Sequence, residues 1–92
     1  MAHYIALIHK DPDSGYGVSF PDAPGVTAVA DTLDDALREG AVALGFAFED
    51  WSGKRPQPRT LDVLRADPEF LAWLADAVVA AIEPAESAAR AA

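Results

Sequence analysis

Cysteine does not occur in this sequence. Its absence removes disulfides, thiolate zinc sites, thiol nucleophiles and redox switches together. Basic residues are scarce: seven lysines and arginines stand against fifteen acids, a formal charge of -8. A surface of that sign repels phosphates, which argues against non-specific nucleic-acid binding and points to a solvated surface or a basic partner. Long apolar runs are missing as well. The first residues carry no basic region, and the opening apolar run is interrupted at His9-Lys10-Asp11. That is too early for a signal peptide or a membrane span, so a cytoplasmic protein without membrane contact is expected. What the chain does have is apolar side chains, 51% of its 92 residues, enough to build one core. With no disulfide at this size, core burial or oligomerisation must supply the stability.

The charge is unevenly spread. Residues 1–50 hold nine of the acids and two bases, Lys10 and Arg38. Residues 51–59 hold Lys54, Arg55 and Arg59 with no acid, and with Gly53, Pro56 and Pro58 they read as an extended connection. The Ala-rich stretch from Ala85 to Ala92 is expected to fray.

Residues 2–8 are apolar at almost every position, which suits a strand covered on both faces. Asp11-Pro12-Asp13-Ser14-Gly15 is turn chemistry, and Tyr16, Val18 and Phe20 then alternate onto one face of a second strand. The prolines in Pro21-Asp22-Ala23-Pro24-Gly25 force the chain out of the sheet, and Val26 to Ala30 makes a third strand. Thr32 is the N-cap of a helix with Asp35 at N3 of an imperfect capping box, and Asp34 and Asp35 complement the helix dipole. An apolar stripe runs from Leu33 to Trp51, with Gly40 and Ala41 small enough for close packing on a sheet. Val42 and Phe46 lie on the other side of that helix, either as a second contact within the monomer or as a contact with another chain. Thr60 caps a short turn bearing Leu61 and Leu64, and Asp67-Pro68-Glu69 repeats the start signal. From there, periodicity fits one helix continuing to Ile82, or a helix ending near Ala75 and a strand at Ala77–Ile82.

Chemistry-bearing constellations are few. His3 and His9 share one face of the first strand, but their spacing, even with Asp11, matches no zinc motif. Ser14, Ser19, Ser52 and Ser87 lack a nucleophile elbow. Asp11, Asp13 and Asp22 do not complete a calcium loop, because Gly15 falls where an acid is needed and Tyr16 where the glycine should be. No catalytic, cofactor-binding or metal-ligating residue is assigned.

One run carries more. Gly15, Tyr16, Val18, Phe20, Pro21, Asp22, Pro24 and Gly25 are followed by Asp31, Thr32, Ala36 and Leu37, and later by Pro56 and Pro58. Over about residues 2–60 this pattern resembles the HicB-type antitoxins of bacterial toxin–antitoxin systems, with Asp35 in place of the usual glutamate. The resemblance implies an α+β, partial RNase H-like fold, β-β-β-α-(short helix)-β. Three antiparallel strands are joined by a returning fourth, with the main helix packed on one face. It therefore favours a strand at about residues 77–82. It implies a non-enzyme without cofactor that binds and neutralises a small HicA-type mRNA-cleaving toxin. Met1–Lys10 contains no carboxylate to hold the metal ions of an RNase H-type nuclease.

Under that resemblance, Asp22, Asp31, Asp34, Asp35 and Glu39 would mimic phosphate charge toward the toxin, with Tyr16 and Phe20 as anchors. The same acids also have local roles as turn and helix caps. Homo-oligomerisation is expected, with Ile5, Leu7, Val42 and Phe46 as self-association contacts. The expected organisation is a domain over residues 1–84, a flexible tail over 85–92, and no DNA-binding domain among these residues. Two other functions are compatible with the residues: a self-associating scaffold or regulatory module without a toxin, and a metal-dependent nuclease, which the acid-free first strand disfavours.

Overall fold

The computed structural model describes residues 3–13, 15–51 and 53–85. Strand β1, Tyr4–Lys10, is apolar on both faces because both are covered by the same chain. Tyr4, Ala6 and Ile8 enter one buried cluster; Leu7 enters a second, with Ile5 packed against it. The turn that follows is capped as its composition predicts. The Asp11 carboxylate accepts the Asp13 N–H at 3.0 Å, and the Gly15 carbonyl accepts the Asp11 N–H at 3.0 Å. Ser14 and Ser52 lie outside the described residues.

Strand β2, Tyr16–Ser19, returns antiparallel to β1 with Ser19 opposite Leu7, and β3, Thr27–Ala30, pairs antiparallel with β2. Between them the chain turns away through two bonds, Ala23 N–H to the Phe20 carbonyl and Val26 N–H to the Ala23 carbonyl, both 3.1 Å. Gly25 holds φ at 90°, a left-handed conformation open to glycine but costly for a residue with a Cβ.

Helix α1, Leu33–Glu49, begins where the cap signal places it: the Thr32 hydroxyl accepts the Asp35 N–H at 3.1 Å. Only that half of the capping box forms, because the Asp35 carboxylate pairs forward with Arg38. The helix buries Ala36, Gly40, Leu44, Gly45 and Phe48. A Cβ on Gly40 would come within 3.1 Å of Val18 and 3.3 Å of Ile82, so the missing side chain sets how closely helix and sheet approach.

The short α2, Leu61–Leu64, and α3, Pro68–Leu74, are capped by Thr60 and Asp67, again as the sequence predicts. They pack over the opposite face of the sheet, where Leu7, Leu64 and Phe70 are buried together. Residues 77–82, readable as helix or strand, resolve as strand: β4, Val78–Ile82, pairs antiparallel with β1 and completes the order β3-β2-β1-β4. The fold is the α+β arrangement that the motif resemblance implies. Beyond β4, Ala85 packs on α1, donating its N–H to the Ala41 carbonyl at 3.0 Å. The rest of the expected flexible tail, residues 86–92, lies outside the described residues.

Candidate partner-binding site

The residues singled out in the sequence divide into three groups. The first is exposed and charged. Asp31, Asp34 and Glu39 stand in solvent at the start of α1, and Asp35 is half exposed beside Arg38. Tyr16 lies opposite Ala30 in the β2–β3 register, next to this helix start, with the Lys10 ammonium 5.7 Å from its ring centroid. The topology therefore gathers Tyr16 and the four acids at one end of the molecule.

The second group is internal. Phe20 is 2% exposed and belongs to the core between sheet and α1, so it supports the loop and has no surface to offer a partner. Leu7 is 0% exposed beneath α2 and α3, and Ile5 packs in the same cluster. The apolar second face of β1, expected to meet another copy, is consumed inside the chain.

Asp22 forms the third group. Its side chain is 8% exposed and fully engaged: one oxygen accepts the Arg59 backbone N–H and the other the Arg59 Nε, both at 2.7 Å. Arg59 then reaches Asp67 at 3.1 Å, and Asp67 caps α3. Two effects hold the Asp67 carboxyl below its ordinary range, first its bond from the Glu69 N–H and then the Arg59 guanidinium. Asp22 therefore ties the loop after β2 to the connection after α1 and to the start of α3.

This network explains much of the basic stretch. The Pro56 carbonyl accepts the Tyr4 hydroxyl at 2.6 Å, and Arg55 lies 5.0 Å from the Phe48 ring centroid, near the negative end of α1. Burial pushes the Tyr4 phenol above its usual range, with the Arg55 charge acting in the opposite direction. The connection is strapped across one end of the sheet by its own bases.

His9 is also committed. Its Nε2–H donates to the Trp73 carbonyl at 2.8 Å, fixing the end of α3 against β1. Among the described residues no three His, Cys, Asp or Glu side chains gather as a metal site, and no helix is long and apolar enough to cross a membrane. Val42 is half-buried, while Phe46 on the same side of α1 is 55% exposed.

Sequence reasoning missed Trp73, which is 54% exposed, and Glu69 beside it. A signal existed. A seven-residue helix that buries Phe70 and packs Leu74 against the same cluster leaves Leu71 and Trp73 to solvent.

These features define a small acidic α+β domain with bacterial antitoxins as its structural relatives. The crystal structure of the Burkholderia pseudomallei antitoxin HicB matches with a TM-score of 0.71 at 32% identity, over 90% of this chain and 63% of that one. The N-terminal domain of that antitoxin matches with a TM-score of 0.68 at 32% identity, over 88% of this chain and 95% of that one. This chain thus spans less than two thirds of the longer Burkholderia chain and nearly all of its N-terminal domain. The antitoxin HicB3 shares the fold, with a TM-score of 0.60 at 22% identity, over 92% of this chain and 66% of that one. No curated protein matches. The family described as HicB-like antitoxin of bacterial toxin-antitoxin system matches residues 4–92. The chain belongs to the HicB-like antitoxins.

Proposed function

We propose that this chain binds a small, basic HicA-type ribonuclease toxin and neutralises it by covering its RNA-binding and catalytic surface. The observation that carries the reading is the family match over residues 4–92. The exposed acids Asp31, Asp34 and Glu39 at the start of α1 support it physically, since a surface built for RNA is drawn to a protein that presents carboxylates. In this reading the chain acts in the cytoplasm as a binding protein, without catalysis, cofactor or direct contact with nucleic acid. The folded domain serves as the neutralising unit. The test is titration of the ribonuclease encoded beside it: RNA cleavage should fall to background near equimolar antitoxin. Absence of binding at micromolar concentration would overturn the proposal.

A second reading, compatible with the first, is self-association through the outer side of α1, favoured by the exposure of Phe46 next to Val42. Light scattering across concentration checks it. A mass above the monomer that falls on Phe46→Asp supports it, and a monomeric mass throughout removes it.

A further inference from the structure

The second face of the sheet is only half covered. α2 and α3 close over Ile5, Leu7 and Val79 of β1 and β4. On β2 and β3, Tyr16, Val18, Ala28 and Ala30 pack toward α1, so the intervening residues Gly17, Ser19, Thr27 and Val29 turn to the uncovered side. Val29 is 70% exposed there, opposite Gly17 in register. Two strands spaced about 4.8 Å apart leave a strip wide enough for one further element, since a helix is about 10 Å across. Gly17 and Ser19 form a low floor between Val29 on one side and α3 on the other.

The strip ends in two recesses. One lies at the β1–β2 turn and is lined by His9, Lys10, Asp11, Pro12, Gly15, Gly17 and Val29, with the Lys10 ammonium donating to the Asp11 carbonyl at 2.6 Å. Gly15 there lies against the backbone of Ala30 and Asp31, so this end adjoins the acidic start of α1. The other recess, about 80 Å³, lies between Pro21 and α3 and is lined by Arg59, Asp67, Glu69, Phe70 and Trp73. The Arg59 charge is already met by Asp22 and Asp67, which leaves Glu69 as the acid beside a half-exposed indole. An aromatic face next to a carboxylate is a receptor for a cation.

We infer that this uncovered β2–β3 strip is a docking surface for a basic protein partner, which places an arginine or lysine against Trp73 and Glu69 and apolar side chains over Gly17 and Val29. The inference rests on the antitoxin reading and names the contact surface that reading requires. Charge selects the occupant. Asp67 and Glu69 outnumber Arg59 at one end, and at the other Lys10 and Asp11 balance beside the exposed acids that start α1, so on this strip a second copy, itself carrying -8, is repelled, as is a nucleic acid.

The test is calorimetric titration of the intact chain with the ribonuclease encoded beside it, comparing wild type with Trp73→Ala, Glu69→Gln and Val29→Arg. All three side chains are exposed, so circular-dichroism melts should match wild type. Trp73→Ala and Val29→Arg are expected to weaken binding at least tenfold, and Glu69→Gln several-fold with a shallower salt dependence. Wild-type binding with all three variants within twofold of it overturns this inference and leaves the antitoxin reading standing. No binding by wild type overturns both.

Discussion

Asp22 shows how one side chain can be picked out from sequence while the partner that holds it goes unseen. The sequence marks it as special, lodged between two prolines in a loop that cannot stay in the sheet. Its partner, Arg59, lies 37 positions away, and nothing local indicates that the two meet. Burial decides the matter. An acid whose two oxygens are both taken by one arginine, and whose side chain is 8% exposed, holds the fold before it meets any partner. Asp22→Ala removes both carboxylate oxygens that Asp22 offers Arg59, leaving it only Asp67, and should destabilise the chain by about 1–3 kcal/mol, read from urea unfolding. A loss below about 0.5 kcal/mol, the usual range for a surface substitution, would mean that water replaces the carboxylate adequately. Thr32 is the opposite case. Its role was legible because its partner, the Asp35 N–H, is three residues away.

Element boundaries follow the same division between local and distant causes. The starts of α1, α2 and α3 were readable because each rests on a cap within a few residues. The end of α3 was not. Phe70, Leu74, Val78 and Ala81 continue a helical period, yet the helix stops because Asp76 turns left-handed, with φ at 61°, and Ala77 N–H closes on the Leu74 carbonyl at 3.0 Å. Glycine at that position would have announced the stop; aspartate tolerates the conformation without advertising it. The strand that follows is fixed by pairing with β1, about seventy residues earlier in the chain, a cause that no local window contains. The motif resemblance supplied what periodicity could not. Asp76→Gly should therefore relieve backbone strain and stabilise the protein by about 0.5–1 kcal/mol, seen as a raised thermal midpoint. A lowered midpoint would show that the aspartate side chain supplies an interaction worth more than the strain.

At the scale of the whole molecule, the charge of -8 acts on association more than on the fold. Nine of the fifteen acids belong to the first fifty residues, and two of the three bases of the connection are engaged locally: Arg55 lies over Phe48 and Arg59 is held between Asp22 and Asp67. The field seen by an approaching protein is therefore negative, and at the start of α1 it is carried by exposed side chains that make few internal contacts. Such a field raises the rate of encounter with a basic partner and adds little to the lifetime of the complex once apolar contacts have formed. Screening lengths of about 10 Å at 0.1 M salt and about 30 Å at 0.01 M make that rate adjustable. In stopped-flow measurements with the ribonuclease encoded beside the chain, the association rate constant should fall by about tenfold or more between 0.01 and 0.3 M salt, while dissociation changes little. Replacing Asp34 and Glu39 together by their amides should lower the association rate at low salt and flatten its salt dependence, with no effect on melting beyond that of a surface change. An association rate indifferent to salt would mean that the acidity serves solubility alone, and that the partner is recognised by the uncovered β2–β3 strip beside α3 without electrostatic guidance.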